Sequence, residues 1–235
     1  MNFIDGPLIA LINAYARQSE FFDNLVGWVA INPLIKGGVL ATLVWWLWFR
    51  CGGTRELGRE RVLAALLACF PAIALARGLA AALPMRLRPL HEPEGGFVMP
   101  HGVDQSVLDG WSSFPSDHAV LFFTIATGLL YISRPAGVFA LAYAAFVIGL
   151  PRVYLGFHYP TDVLAGAGMG IAIGWLAVPY LAGSRAFKSA YAWLDSRPAV
   201  FYPLLFLVTY QIADLFSSSR GLLRGVRKLV IIILS

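Results

Sequence analysis

The stretch RVYLGFHYPTDVLAGAGMGIAIGWLAVPYL, residues 152–181, decides the fold. It opens on Arg152, His158 and Asp162 and then carries no charged residue from Val163 to Leu181. A membrane-crossing helix needs about 20 mostly apolar residues, so Tyr159–Leu181 is predicted to be one, with titratable groups at its head. Gly166, Gly170 and Gly174 continue the four-residue spacing that starts at Asp162. On a helix they form one small-residue ridge, the kind of surface that lets another helix approach closely in lipid.

Composition extends this reading to the whole chain. Of 235 residues, 58% are hydrophobic and 13% charged, and the mean hydropathy is +0.69. Soluble domains average about 25% charged residues, so this chain has too few to cover a water-facing surface. Lipid leaves helices or closed barrels as the ways to satisfy the backbone. The expected fold is all-α: one polytopic helical bundle over residues 1–235, with about six transmembrane helices. They are predicted at Leu34–Phe49, Val62–Leu83, His118–Ile132, Ala136–Leu155, Tyr159–Leu181 and Val200–Phe216. Pro7–Trp28 reads as an amphipathic interfacial helix. The basic and apolar tail, residues 217–235, is also expected at the interface.

The net charge of +5 comes from membrane-flanking Lys and Arg. The basic residues form no stripe with interleaved aromatics, so no nucleic-acid partner is expected. Cys51 and Cys69 make no metal-type cluster, and no cleavable signal peptide is read at the start. Arg50, Arg55, Arg59, Arg61, Arg134, Arg185, Lys188 and Arg197 fall on one side of the six-span arrangement; Arg17, Arg86, Arg88 and Arg152 fall on the other. The richer side is expected to face the cytoplasm. The chain is then integral to the cell membrane, with both termini outside and the tail folded back on the surface.

Three segments meet on the outer face: Arg86-Leu87-Arg88-Pro89, Phe114-Pro115-Ser116-Asp117-His118, and Arg152 through Asp162. Charged groups at a membrane boundary are costly unless paired or functional. Arginine matches phosphate oxygens, and histidine transfers protons or attacks. His158 and Asp162, four apart, share a helix face, and a carboxylate on one ring nitrogen would leave the other free for attack. In isolation such a pair is also a common structural contact. His118 is the candidate general acid and base. Arg88 and Arg152 would clamp the phosphate, and Ser116 with the Asp117 amide sits where a helix start favours an anion. The Pro84–Pro115 loop, with His91 and His101, reads as a solvated lid.

These residues resemble the signature of the type 2 phosphatidic acid phosphatase family. Its third part, Arg, five residues, His, three residues, Asp, matches at Arg152, His158 and Asp162. The second, Pro-Ser-x-His, matches at Pro115, Ser116 and His118, with Asp117 where many members have Gly. The first, Lys, six residues, Arg-Pro, matches only at Arg88-Pro89, because Ala81 stands at the Lys position. Arg77 or Arg86 could supply the missing cation. The resemblance covers about residues 20–180. It implies a metal-independent lipid phosphatase without cofactor, working through a phosphohistidine. Ser113-Phe114-Pro115-Ser116-Asp117-His118 is similar to the form in undecaprenyl pyrophosphate phosphatases, which favours a polyprenyl pyrophosphate. Phosphatidylglycerol phosphate, phosphatidic acid and lipid A phosphate are the other substrates implied. A lipid phosphotransferase, or a non-catalytic lipid-phosphate binder or transporter on the same fold, is the alternative that the Ala81 departure keeps open.

Overall fold

The computed structural model describes residues 2–51, 56–92 and 95–234. Arg55 and Ser235, used above for orientation and for the tail, lie outside them. The described residues are helical with connecting turns and contain no strand. The elements are α1 (Asp5–Asn13), α2 (Glu20–Ile31), α3 (Val39–Arg50), α4 (Glu56–Ala82), α5 (Asp117–Leu130), α6 (Arg134–Tyr143), α7 (Leu150–Tyr154), α8 (Pro160–Gly183), α9 (Arg185–Asp195), α10 (Pro198–Ala213) and α11 (Ser217–Leu234). A π turn, Leu34–Gly38, leads into α3, and a second, Ala144–Gly149, joins α6 to α7. The two π turns are tied together by the Tyr143 hydroxyl, which donates to the Ile35 carbonyl at 2.5 Å.

Among the described residues, three helices are long and apolar enough to cross a membrane alone: Gly58–Ala82, Arg134–Tyr154 and Pro160–Gly183. Two further apolar paths are bent, α2 with Leu34–Arg50 by 58° and α10 with α11 by 89°. The predicted span over His118–Ile132 is instead the 14-residue α5. At about 1.5 Å per residue it rises only about 21 Å, short of a hydrocarbon core of about 30 Å. Every α5 residue from Ala119 to Leu129 is buried, so it is the bundle's axis. Its neighbours are α4, α6 and α8.

The glycine ridge of α8 makes this packing possible. A Cβ on Gly166 would stand 2.7 Å from the Ser116 carbonyl oxygen; on Gly170, 2.5 Å from that of Val120; on Gly174, 2.6 Å from that of Thr124. The two backbones therefore touch along three turns. Lipid gives little hydrophobic drive to helix association, and close van der Waals contact supplies it.

The N-terminal segment differs from the single interfacial helix expected over Pro7–Trp28. Two helices flank a break where Arg17 takes a positive φ of 62°. Buried Asp23 stabilises the break by accepting from the Arg17 amide at 3.0 Å and the His101 amide at 2.8 Å. Ser19 then caps α2. The long loop is fastened to these helices: Asn13 exchanges two 2.7 Å bonds with Val98, and the His101 ring lies 2.8 Å from Asp23. His101 is thus a tether, and His91 reaches the Gln105 carbonyl at 2.8 Å.

Candidate active site

Two helix starts and two loops converge at one end of the bundle. α5 begins after Ser116, whose extended backbone and hydroxyl cap the Ala119 amide. α8 begins after Tyr159, with Pro160 at its first position, where a missing N–H costs nothing. Asp162 reaches back to the Tyr159 amide at 2.9 Å, and its own carbonyl accepts from the Ser116 amide at 3.2 Å. The head of one helix thereby sets the position of the other.

His158 sits in the turn between α7 and α8. Gly156 just before it has φ +71°, and a Cβ there would strike the Phe97 ring at 2.6 Å. The His158 Nδ1 lies 2.7 Å from the Ser113 carbonyl. A carbonyl only accepts, so Nδ1 carries the proton and Nε2 presents its lone pair. That Nε2 stands 3.4 Å from an Arg88 nitrogen. Burial, with Arg88 next in weight, holds the imidazole well below the usual histidine range. The ring is therefore neutral.

Asp162 does not hold the ring as the spacing predicts. Its nearer oxygen is 4.0 Å from Nδ1. The lone pairs are already occupied: the Ser113 hydroxyl donates at 2.5 Å, the Tyr159 amide at 2.9 Å and Arg86 at 2.5 Å. Ser113 thus touches both members, His158 through its carbonyl and Asp162 through its hydroxyl. Sequence reading missed it, although it belongs to the quoted Ser113–His118 run.

His118 is held at both nitrogens. Nδ1 lies 2.8 Å from Asp117 and Nε2 lies 2.8 Å from Arg152, which also donates to the Ala30 carbonyl at 2.9 Å. Arg88 is 5% exposed and donates to the carbonyls of Trp111 at 3.1 Å, Ser112 at 3.0 Å and Phe157. It joins the end of the long loop to the His158 turn. The structure thus brings His158, His118, Asp162, Asp117, Ser116, Arg88 and Arg152 to this end of the bundle.

The two candidate replacements for the missing cation part company. Arg86 is taken up by two carboxylates: it bonds Asp5 at 2.7 Å and Asp162 at 2.5 Å and stacks over Tyr159. Asp5, fully buried in α1, also accepts from the Thr161 amide and hydroxyl. Arg77 faces the site, 3.7 Å from Asp117.

Comparison with known proteins places this arrangement. The model of the PAP2 superfamily matches residues 61–186, just over half of the chain, including both histidines. The chain belongs to the PAP2 superfamily. A protein of Escherichia coli K12 provisionally named undecaprenyl-diphosphatase YbjG is 30% identical over 79% of this chain and 88% of its own length. The bacitracin transport permease protein BcrC of Bacillus licheniformis is 37% identical over 37% of this chain; the match spans 43% of that relative. Among solved structures, the PAP2-type phosphatidylglycerolphosphate phosphatase of Bacillus subtilis superposes with a TM-score of 0.52 at 21% identity, over 77% of this chain and 87% of that one. This last likeness shows a shared fold.

Proposed function

We propose that this PAP2 protein is an integral membrane phosphatase that hydrolyses a lipid phosphate, with a polyprenyl pyrophosphate as the favoured substrate. The observation that carries the reading is the buried, neutral His158, its Nδ1 on the Ser113 carbonyl and its Nε2 beside Arg88. The Nε2 lone pair faces the Arg88 guanidinium at 3.4 Å, the group that would bring a phosphate against it.

In this mechanism Arg88 and Arg152 bind the phosphate oxygens, together with Ser116 and the Asp117 amide at the α5 start. His158 Nε2 attacks phosphorus and the P–O bond to the leaving oxygen breaks, giving a phosphohistidine. His118 donates a proton where the leaving oxygen needs one. It then takes one from the water that cleaves the P–N bond and releases inorganic phosphate. Such a positioned acid and base contributes about 10²–10⁴-fold. Asp162 and Arg86 position the α8 head, and Arg77 adds cationic field near Asp117. All these groups are side chains and amides of this chain, and no metal or cofactor is assigned a part.

The favoured substrate follows the Ser113–His118 run and the relatives named undecaprenyl-diphosphatase; a relative named lipid A 4'-phosphatase supports the wider class. The helices α4, α6 with α7, and α8, together with the bent α2–α3 and α10–α11 paths, are read as the membrane passes around the short α5, with the site on the extracytoplasmic face. The test is release of inorganic phosphate in detergent, with chelator, across a panel of lipid phosphates. His158→Ala should lower turnover by on the order of 10⁴-fold or more while leaving helicity and melting intact. Retained turnover in that folded variant would remove His158 as the nucleophile.

A further inference from the structure

The family's first motif lacks its lysine here, because position 81 is Ala, yet a buried lysine does stand by the site. Lys36, in the π turn before α3, is 9% exposed, and its side chain has no hydrogen-bond or ion-pair partner among the described residues. Asp117, Arg152, Asp214 and Arg220 lie within its electrostatic reach. Gly37 beside it presses on the backbone of Ala213, where any Cβ would collide. That contact fixes the π turn against the end of α10.

The same corner carries Arg77 and Arg220. Arg77 lies 3.7 Å from Asp117 and donates to the Leu215 carbonyl at 3.3 Å. Its Nε is buried without a partner, as is the Nε of Arg152. Arg220, in the first turns of α11, shares its field with Arg77, Asp117, Asp214 and Arg224. Leu215 and Phe216 both adopt positive φ where α10 turns into α11, and that turn brings Arg220 to this end of the bundle. The facing acids are Asp117 and Asp214. Asp117 is engaged by His118 at 2.8 Å and Asp214 by Ser218 at 2.6 Å. A lysine in a mostly buried turn and the two orphaned guanidinium nitrogens, those of Arg77 and Arg152, are costly unless an anion meets them.

We propose that Lys36, Arg77 and Arg220 form a second anion subsite, which holds the lipid-proximal phosphate of a diphosphate substrate while Arg88 and Arg152 hold the distal one. This rests on the phosphatase reading above and deepens it. When His158 Nε2 bonds to the distal phosphorus, the bond from that phosphorus to the bridging oxygen breaks. The electron pair stays on the bridging oxygen, which leaves as part of the lipid monophosphate. Negative charge grows on the proximal phosphate in that step, so cations placed there act in the transition state more than in the ground state. A monophosphate substrate has no group to put there.

The experiment compares farnesyl diphosphate with farnesyl monophosphate as paired substrates of the detergent-purified chain. Lys36→Met should lower the diphosphate-to-monophosphate ratio of kcat/KM by about 10–100-fold, the worth of one charge-assisted contact. Arg220→Gln should lower it in the same direction, and Lys36→Arg should largely restore it. An unchanged ratio in Lys36→Met and Arg220→Gln overturns the subsite, even if both activities fall together. Should Lys36→Met fail to fold, Arg220→Gln alone decides. If the wild-type chain hydrolyses neither substrate, the phosphatase reading falls instead. The subsite is then judged by whether inorganic pyrophosphate raises the melting temperature more than orthophosphate in the wild type and loses that advantage in Arg220→Gln.

Discussion

The heads of α5 and α8 each place a carboxylate within one turn of a histidine, and they use it in opposite ways. At α5, Asp117 bonds His118 directly at 2.8 Å. At α8, Asp162 stays 4.0 Å from His158 and serves the Tyr159 amide, Ser113 and Arg86 instead. A neutral carbonyl, that of Ser113, orients His158. Both rings rest neutral, His118 because burial and Arg152 push it down to about 3, and the difference in partner matches the two tasks proposed for them. A carboxylate stabilises the imidazolium that a proton carrier must become. A carbonyl fixes the tautomer without inviting a second proton, which suits a nucleophile that must stay neutral beside Arg88.

After the loss of His158 itself, breaking the α5 head should have the largest effect. His118→Ala is expected to lower turnover by about 10²–10⁴-fold. Loss should fall mainly on the water step, so rapid-quench labelling with a diphosphate substrate should show phosphoenzyme accumulating. A variant that turns over slowly without accumulation would assign His118 to the first step alone.

A second test concerns charge at the α8 side. Above about pH 6.5, the ordinary imidazole value, His158 is neutral in folded and unfolded chains alike and adds nothing to the pH dependence of stability. Below it, the unfolded chain binds a proton that the buried ring refuses, because its folded value is pushed down by burial and Arg88. Stability should therefore fall on acidification through that window. Melting curves from pH 7.5 to 5 should have a shallower slope in His158→Gln than in the wild type. Equal slopes would mean that the folded ring takes the proton.

The smallest effect is expected from Ser113→Ala. It deletes the hydroxyl bond to Asp162 and keeps the carbonyl that holds His158. A stability loss of about 1 kcal/mol with turnover within a few-fold is the outcome. A collapse of activity would show that Asp162 must be restrained from its fourth neighbour for the ring to work.

Local chemistry made much of this legible from the sequence. The apolar run after Asp162, the glycine ridge and the Arg152, His158, Asp162 spacing are each written in consecutive residues. The bundle and the cluster of both histidines with Arg88 and Arg152 follow from them. What escaped depends on chain paths. The Ser113 carbonyl is a backbone group aimed by a loop, and side-chain identity says nothing of it. The shortness of α5 is hidden because a fully buried helix and a membrane span are equally apolar. The break at Ala14–Ser19 is held by Asp23, whose partners at Tyr154 and His101 come from far along the chain. Arg86 looked like a phosphate ligand because its neighbour Asp5, 81 residues away, could not be foreseen.

That same Asp5 bears on how the molecule is made. Its guanidinium partner follows it in the chain by 81 residues and its hydroxyl partner, Thr161, by 156. During synthesis α1 leaves the ribosome ahead of both partners, with a carboxylate that has nothing to bind. It must wait at the water boundary, hydrated, until α4 and then α8 are inserted beside it. The catalytic end is therefore completed late in biogenesis, when the first helix is drawn onto the α8 head, and a chain stalled before Thr161 carries most of its membrane helices but no assembled site.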